Sequence, residues 1–259
     1  MNNSRLIELY TKTSKHSHYQ VLATPLKAII PDDMQNIQSR WENERLRFIM
    51  DYLPYKDASL ADIGGNTGYF TLELMHRGAK KALLLEGNKA HGDFVSEATS
   101  ILGWLDKVTI RSVYMTFQED ISQIDVDVCL LLNVLHHVGD DYGDQSQSID
   151  EAKNSILRSL SLLSHRAKYL AFQLGFNWKG DKKFPLFEKG TKRELIDFVE
   201  HGVRDCWLIQ KIGIAEKTND TVVYKELNKD NIQRDDALGE FLNRPLFIMK
   251  SKLYGKEIT

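Results

Sequence analysis

The sequence predicts an α/β protein built on a doubly wound, mostly parallel sheet with helices on both faces. Three observations predict it. From Ser59 to Gly202, short apolar runs alternate with segments of helical period. One run, Asp127 to Leu135, is almost continuously apolar, as a central strand covered on both faces must be. And the first run, ending Ala61-Asp62-Ile63, breaks into a glycine-rich turn and passes directly into a helical pattern, which reads as strand, tight loop, helix.

A chain of 259 residues can bury one large α/β core or two small domains. With 42% hydrophobic and 27% charged residues the composition is that of an ordinary globular protein. A net charge of −2 provides no general attraction for nucleic acid or an anionic membrane, leaving only a local basic patch to do so. The two cysteines, Cys129 and Cys206, have no metal-binding spacing, and Cys129 sits inside an apolar run, so a reducing compartment is the simpler expectation. No apolar run approaches the ~18 residues of a membrane span and no apolar leader opens the chain; a cytoplasmic protein is expected.

Residues 1–57 read as a helical N-terminal extension or cap, and 58–259 as the main unit of a single domain. A short helix is predicted over Arg5 to Tyr10 and a longer one from about Met34 to Leu53, where Trp41, Leu46, Phe48, Ile49 and Leu53 form a stripe and Pro54 ends it. Strands then follow at Ser59 to Ile63, Lys81 to Leu85, Val108 to Val113, Asp127 to Leu135 and Lys168 to Leu174. Between them lie helices at Tyr69 to Arg77, stopped by Gly78, and at Lys89 to Leu102. A further helix opens at Ser148 with Asp150 and Glu151 in its first turn. Thr191 to Glu194 is a capping box for a helix that Gly202 should close. The tail changes character: Trp207 to Glu216, Thr221 to Leu227 and Pro245 to Ser251 all read as strands, with a turn at Thr218 to Thr221.

The loop after the first strand carries the chemistry. A dinucleotide fingerprint started at Gly64 needs glycine at 64, 66 and 69, but those positions hold Gly64, Asn66 and Tyr69. What stands there, Asp62-Ile-Gly-Gly-Asn-Thr-Gly68, resembles motif I of the class I S-adenosylmethionine-dependent methyltransferases, with Asn66 replacing the middle glycine. Asn tolerates positive φ better than most residues, so the loop can survive the change. The resemblance, strongest over Ser59 to Leu174, implies a seven-stranded sheet closed by a C-terminal antiparallel hairpin, with the last strand inserted beside the fifth. It implies S-adenosylmethionine as cofactor and S-adenosylhomocysteine as product. Gly64, Gly65, Asn66 and Gly68 would line the methionine portion, Asp62 would meet its amino group, and Glu86 would take the ribose hydroxyls. Asn88 would touch the ribose edge. The usual adenine-binding acid is missing after the third strand, where Tyr114 and Met115 offer a packing surface instead, and Asn133 would complete the pocket. The N-terminal segment, with His18, Tyr19, Gln20, Arg40 and Arg45, would lie across the substrate mouth or be a plain structural extension.

Doubly wound sheets bind ligands at the carboxyl ends of their strands, so the acceptor chemistry belongs after the fourth strand, at Asn133-Val-Leu-His-His-Val138. Either His136 or His137 is a candidate general base, since imidazole titrates near neutrality. Asp140, Asp141 and Asp144 read as a solvated loop, and no metal is assigned. Gln173, Asn177 and Trp178 offer a polar and aromatic rim, or else belong to a loop stabilised by one buried Trp. The favoured acceptor is an oxygen of a polar small molecule or glycan intermediate. Two alternatives stay open: methylation of RNA, tRNA above all, through a basic run of Lys179, Lys182, Lys183, Lys189, Lys192 and Arg193, and a non-catalytic cofactor-binding scaffold.

Overall fold

The computed structural model describes residues 3–12, 19–31 and 39–257. The apolar runs become strands β1 (Ser59–Ile63), β2 (Lys81–Leu85), β3 (Val108–Arg111), β4 (Val126–Leu132) and β5 (Ala167–Gln173). All three tail segments are strands as well: β6 (Trp207–Thr218), β7 (Thr221–Glu226) and β8 (Leu246–Ser251). They join into one sheet of eight strands, one more than expected, in the order β3-β2-β1-β4-β5-β8-β6-β7. The first five pair in parallel, β8 enters antiparallel between β5 and β6, and β6 and β7 form the hairpin, turning at Thr218–Thr221. The long β6 is what admits the eighth strand. Its first part pairs with β8 and its second part with β7.

Seven α-helices accompany the strands among the described residues: α1 (Ser4–Thr11), α2 (Glu42–Tyr52), α3 (Tyr69–His76), α4 (Lys89–Ile101), α5 (Ile149–Ser164), α6 (Lys192–Val203) and the short α7 (Gly239–Leu242). None is long and apolar enough to cross a membrane. Both predicted N-caps are made: Ser148 exchanges hydrogen bonds with Glu151, and Thr191 with Glu194. Gly202, expected to stop α6, lies inside it, because its missing side chain admits Leu157, whose methyls would crowd a Cβ at 2.2 Å. The predicted Met34 start of the second helix lies outside the described residues; the helix itself begins at Glu42. The fourth strand stops at Leu132, three residues short of its apolar run, since Asn133 turns left-handed at φ 64°.

The period of two along β4 divides the core. Cys129 and Leu131 face a cluster with α5 and α6, while Val128 and Leu130 face one with α2, α3 and α4. The N-terminal segment belongs to the second cluster through Leu6, Tyr10, Leu22, Leu26 and Ile30. It is therefore laid against the face that carries the glycine loop. One consequence of capping is measurable. Thr191→Ala should remove about 1 kcal/mol of stability, read as a lower urea midpoint at unchanged slope.

Candidate functional site

The strand order reverses between β1 and β4, and their carboxyl ends part to open a crevice. Close packing holds its floor. Val134, just past β4, comes so near Gly64 that a Cβ there would sit 2.6 Å from its methyl. Gly65 is packed as tightly, against Leu84 and the Asp62 carboxylate. Asn66 takes φ 54°, the left-handed conformation that its replacement of glycine requires. Its N–H donates to Glu86 Oε2 at 2.7 Å, while Asn88 N–H donates to Glu86 Oε1 at 2.8 Å. Glu86 thus ties the glycine loop to the end of β2.

A cleft of about 400 Å³ opens above this floor. Asp62, Gly64, Gly65, Asn66, Glu86, Asn88, Tyr114, Met115, Asn133, His136 and His137 all line it. Gly68 does not. It takes φ 75° as the residue before α3 and packs against Val95, so its glycine is a requirement of the turn and of packing. Asn88 spends its side-chain oxygen capping α4 through Ala90 N–H. The Tyr114 ring lies over Gly87, where a Cβ would stand 2.3 Å from the ring, and leaves about half of the residue exposed.

Asp62 is the most perturbed acid in the cleft. Burial raises its pKa to about 6, outweighing the hydrogen bond from the Thr71 hydroxyl at 2.8 Å and the attraction of Arg45. A carboxylate so buried fits a cationic amino group, which would supply the charge that burial takes from water. Glu86 is buried nearby at the end of β2, placed for a diol. These residues fit the methionine and ribose portions of S-adenosylmethionine.

The paired histidines occupy a single 3₁₀ turn, Leu135–His137, with ring centroids 4.3 Å apart. Their surroundings differ. His136 is buried, and its Nδ1 accepts the Gly175 N–H at 3.3 Å, so the neutral ring carries its proton on Nε2. Burial, with Arg244 and His137 adding repulsion, holds its pKa well below the usual histidine value. His137 is partly exposed, with Nδ1 3.8 Å from Asp140 and 3.7 Å from Asp141. These three residues place their ligand atoms within 4.8 Å of one another, a donor set a divalent cation can use and one that equally steadies an imidazole. Asp144 stands apart, bonded to Ser146.

The N-terminal segment reaches the cleft. Gln20 Oε1 accepts from the Thr67 hydroxyl and the Tyr69 N–H, both at 3.1 Å, and Tyr19, Arg40 and Arg45 join it in the lining. His18 lies outside the described residues. The predicted rim takes another form: Trp178 is buried with its indole N–H on the Val138 carbonyl, Asn177 bonds Glu240, and Gln173 is wholly buried. None of the three lines the cleft. Gln173 works behind it, accepting from Asn133 Nδ2 at 2.9 Å and donating to the Arg244 carbonyl at 2.9 Å. The basic run also breaks up, because Lys192 is buried with its ammonium on the carbonyls of Asn231 and Gln233. Sequence reasoning missed Glu42, His91, Phe241 and Arg244, all lining the cleft. Arg244 had one signal, its place immediately before the strand that enters beside β5.

Known proteins show the same architecture at low identity. No protein-family profile and no curated protein sequence matches the chain. A structure of WbdD superposes with a TM-score of 0.57 at 14% identity, covering 95% of this chain and 41% of WbdD. A second, described as the bifunctional kinase-methyltransferase WbdD, gives a TM-score of 0.56 at 14% identity, covering 96% and 46%. The chain thus spans under half the length of those WbdD structures. A Pyrococcus horikoshii protein described as a candidate RNA methyltransferase aligns over 96% of this chain and 98% of its own, at 11% identity and a TM-score of 0.49. The fold is that of the class I S-adenosylmethionine-dependent methyltransferases.

Asp62 also makes a prediction for the unliganded protein. Its folded pKa, about 6, lies above the 3.8 of an unperturbed aspartate, so between those values the folded state holds a proton that the unfolded state has lost. Its contribution to stability is complete below pH ~4 and declines as pH rises toward ~6, by at most about 3 kcal/mol. The stability of Asp62→Asn relative to wild type, followed by denaturant unfolding, should rise over that window and be flat above it.

Proposed function

We propose that the chain is an S-adenosylmethionine-dependent methyltransferase that methylates an oxygen of a polar small molecule or glycan intermediate. The observation carrying this reading is the meeting in one cleft of a buried carboxylate and glycine loop from β1 with a histidine pair from the end of β4. S-adenosylmethionine supplies a methyl group activated on a positive sulfur, so transfer to oxygen is an in-line displacement. The protein's share is alignment, exclusion of water and removal of one proton.

Asp62 would hold the amino group, Glu86 the ribose hydroxyls, and Tyr114 with Met115 the adenine face. His137 is the base in this reading. Asp140 and Asp141 near its Nδ1 favour a proton on that nitrogen, leaving the Nε2 lone pair for the acceptor hydroxyl. His137 Nε2 would take the acceptor hydroxyl's proton, and the two carboxylates would stabilise the resulting imidazolium. His136, its Nδ1 engaged by a backbone N–H, presents only a donor and serves to orient the acceptor. Methylation of RNA is not favoured, since Lys192, part of the one dense basic run, is taken into the core.

Calorimetric titration with S-adenosylmethionine and S-adenosylhomocysteine, using NAD as control, tests the reading. Binding of both sulfur nucleosides and not NAD is expected; binding of neither overturns it. Glu86→Ala should weaken that binding by about 1–3 kcal/mol, because charged hydrogen bonds to the ribose are lost. His137→Ala should leave cofactor affinity intact while lowering turnover by about 10²-fold or more. His136→Ala, by contrast, should act chiefly on acceptor KM.

A further inference from the structure

Phe241, in α7, carries three guanidinium groups around one ring: Arg40 at 5.6 Å, Arg45 at 5.0 Å and Arg244 at 5.2 Å from its centroid. All four residues line the cleft. Like charges gathered this closely repel, and Arg40 and Arg45 both lower the pKa of Arg244, beyond the lowering by its burial. Two carboxylates offset part of the charge: Glu42 lies 3.4 Å from Arg45, and Glu240 lies 2.6 Å from Arg244. Three cations against two anions leave one positive charge. Among the described residues, the Arg40 guanidinium meets two rings, those of Tyr19 and Phe241, and no carboxylate.

Among the described residues, none of the other acids of the cleft is paired with Arg40, although Asp62 is within the field of Arg45. Asp62 is bonded to Thr71, Glu86 to two backbone N–H groups, and Asp141 lies beside His137. Arg244 is moreover built into position. Its Nη1 donates to Asn133 Oδ1 at 2.9 Å, and Asn133 is in turn fixed by the buried Gln173. Arg45, 4% exposed, has a buried Nε without a hydrogen-bond partner, and it lies over Phe70 within the field of Asp62. That placement suits it to the carboxylate of the cofactor's methionine. Arg40 and Arg244 remain on the acceptor side.

We infer that the acceptor is an anion, carrying a phosphate or carboxylate group that Arg40 and Arg244 grip across Phe241 while its hydroxyl faces His137. Arg40 can present a planar guanidinium fork, which matches either oxyanion, while Arg244, whose Nε and Nη2 donate to Glu240, offers its remaining Nη N–H groups. The inference rests on the methyltransferase reading for the position of the hydroxyl, but not for the anion site itself.

The test uses the full chain loaded with S-adenosylhomocysteine and two probes, inorganic phosphate and acetate, each followed by the NMR relaxation of its own nucleus. At least one should relax faster in the presence of the protein. Arg40→Gln and Arg244→Gln should each reduce the effect about fivefold or more, as expected for loss of a charge-assisted contact, and Arg244→Lys should retain part of it. Preference between the probes separates phosphate from carboxylate acceptors. S-adenosylhomocysteine affinity, measured on every variant, reports whether the fold and cofactor site survive. Lack of relaxation with either anion, or an effect that persists in both glutamine variants, overturns the anion site. Failure of S-adenosylhomocysteine to bind would sink the methyltransferase reading instead, and the same probes on the unliganded chain would still decide on the arginines.

Discussion

The left-handed turns at the carboxyl ends of β1 and β4 are the constraint on which this molecule depends. Gly64 at φ 70° and Asn133 at φ 64° direct the two central strands apart, and Val134 fills the space that a side chain at 64 would need. The crevice is therefore a consequence of backbone conformation. Once it is open, Asn66 can turn its N–H toward Glu86, and β1 and β2 become joined through one carboxylate. Asn133 has a second use: its left-handed turn leaves the amide between Gln173 and Arg244, coupling this wall of the cleft to β5 and the approach to β8. Two asparagines thus do what glycine could do for the backbone, and add hydrogen bonds that glycine lacks.

Those features were legible in the sequence because they are local. Asp62 to Gly68 is one contiguous turn, and Glu86 closes the next strand, so period and spacing locate them. The Ser148 N-cap and the Thr191 capping box were legible for the same reason. Arg244 and Phe241 were not. They reach the cleft only because β8 inserts antiparallel between β5 and β6, which brings a segment about two hundred positions from Arg40 and Arg45 onto the same wall. No periodicity records such a meeting. Gln173 and Trp178 are a different case, which the sequence left open between a rim and a loop holding a buried Trp. Their polarity and aromaticity suggested a rim, yet both satisfy their polar atoms inside the protein, and a buried hydrogen-bonded side chain looks in sequence like an exposed one.

Charge shows how a whole-chain quantity conceals a local one. A net −2 is featureless, but the cleft gathers three arginines around the Phe241 ring, with Arg45 also in the field of Asp62. S-adenosylmethionine has an ammonium group beside a carboxylate, and the order of Asp62, Phe70 and Arg45 suits that pair. The excess cation beyond them is what a cofactor alone does not explain. It belongs to recognition of something else.

The two adjacent histidines give the same lesson at the scale of one turn. Neighbours on a 3₁₀ helix point about 120° apart, so identical side chains one position apart enter different media. His136 turns inward to Gly175 N–H, where burial favours the neutral ring. His137 turns toward Asp140 and Asp141, where a protonated ring would be stabilised. The first environment, being buried, opposes a cationic ring, whereas the second places two carboxylates beside one. The difference between the two environments therefore comes from the turn that Leu135–His137 adopts and the carboxylates that follow it, while the residue type is the same in both.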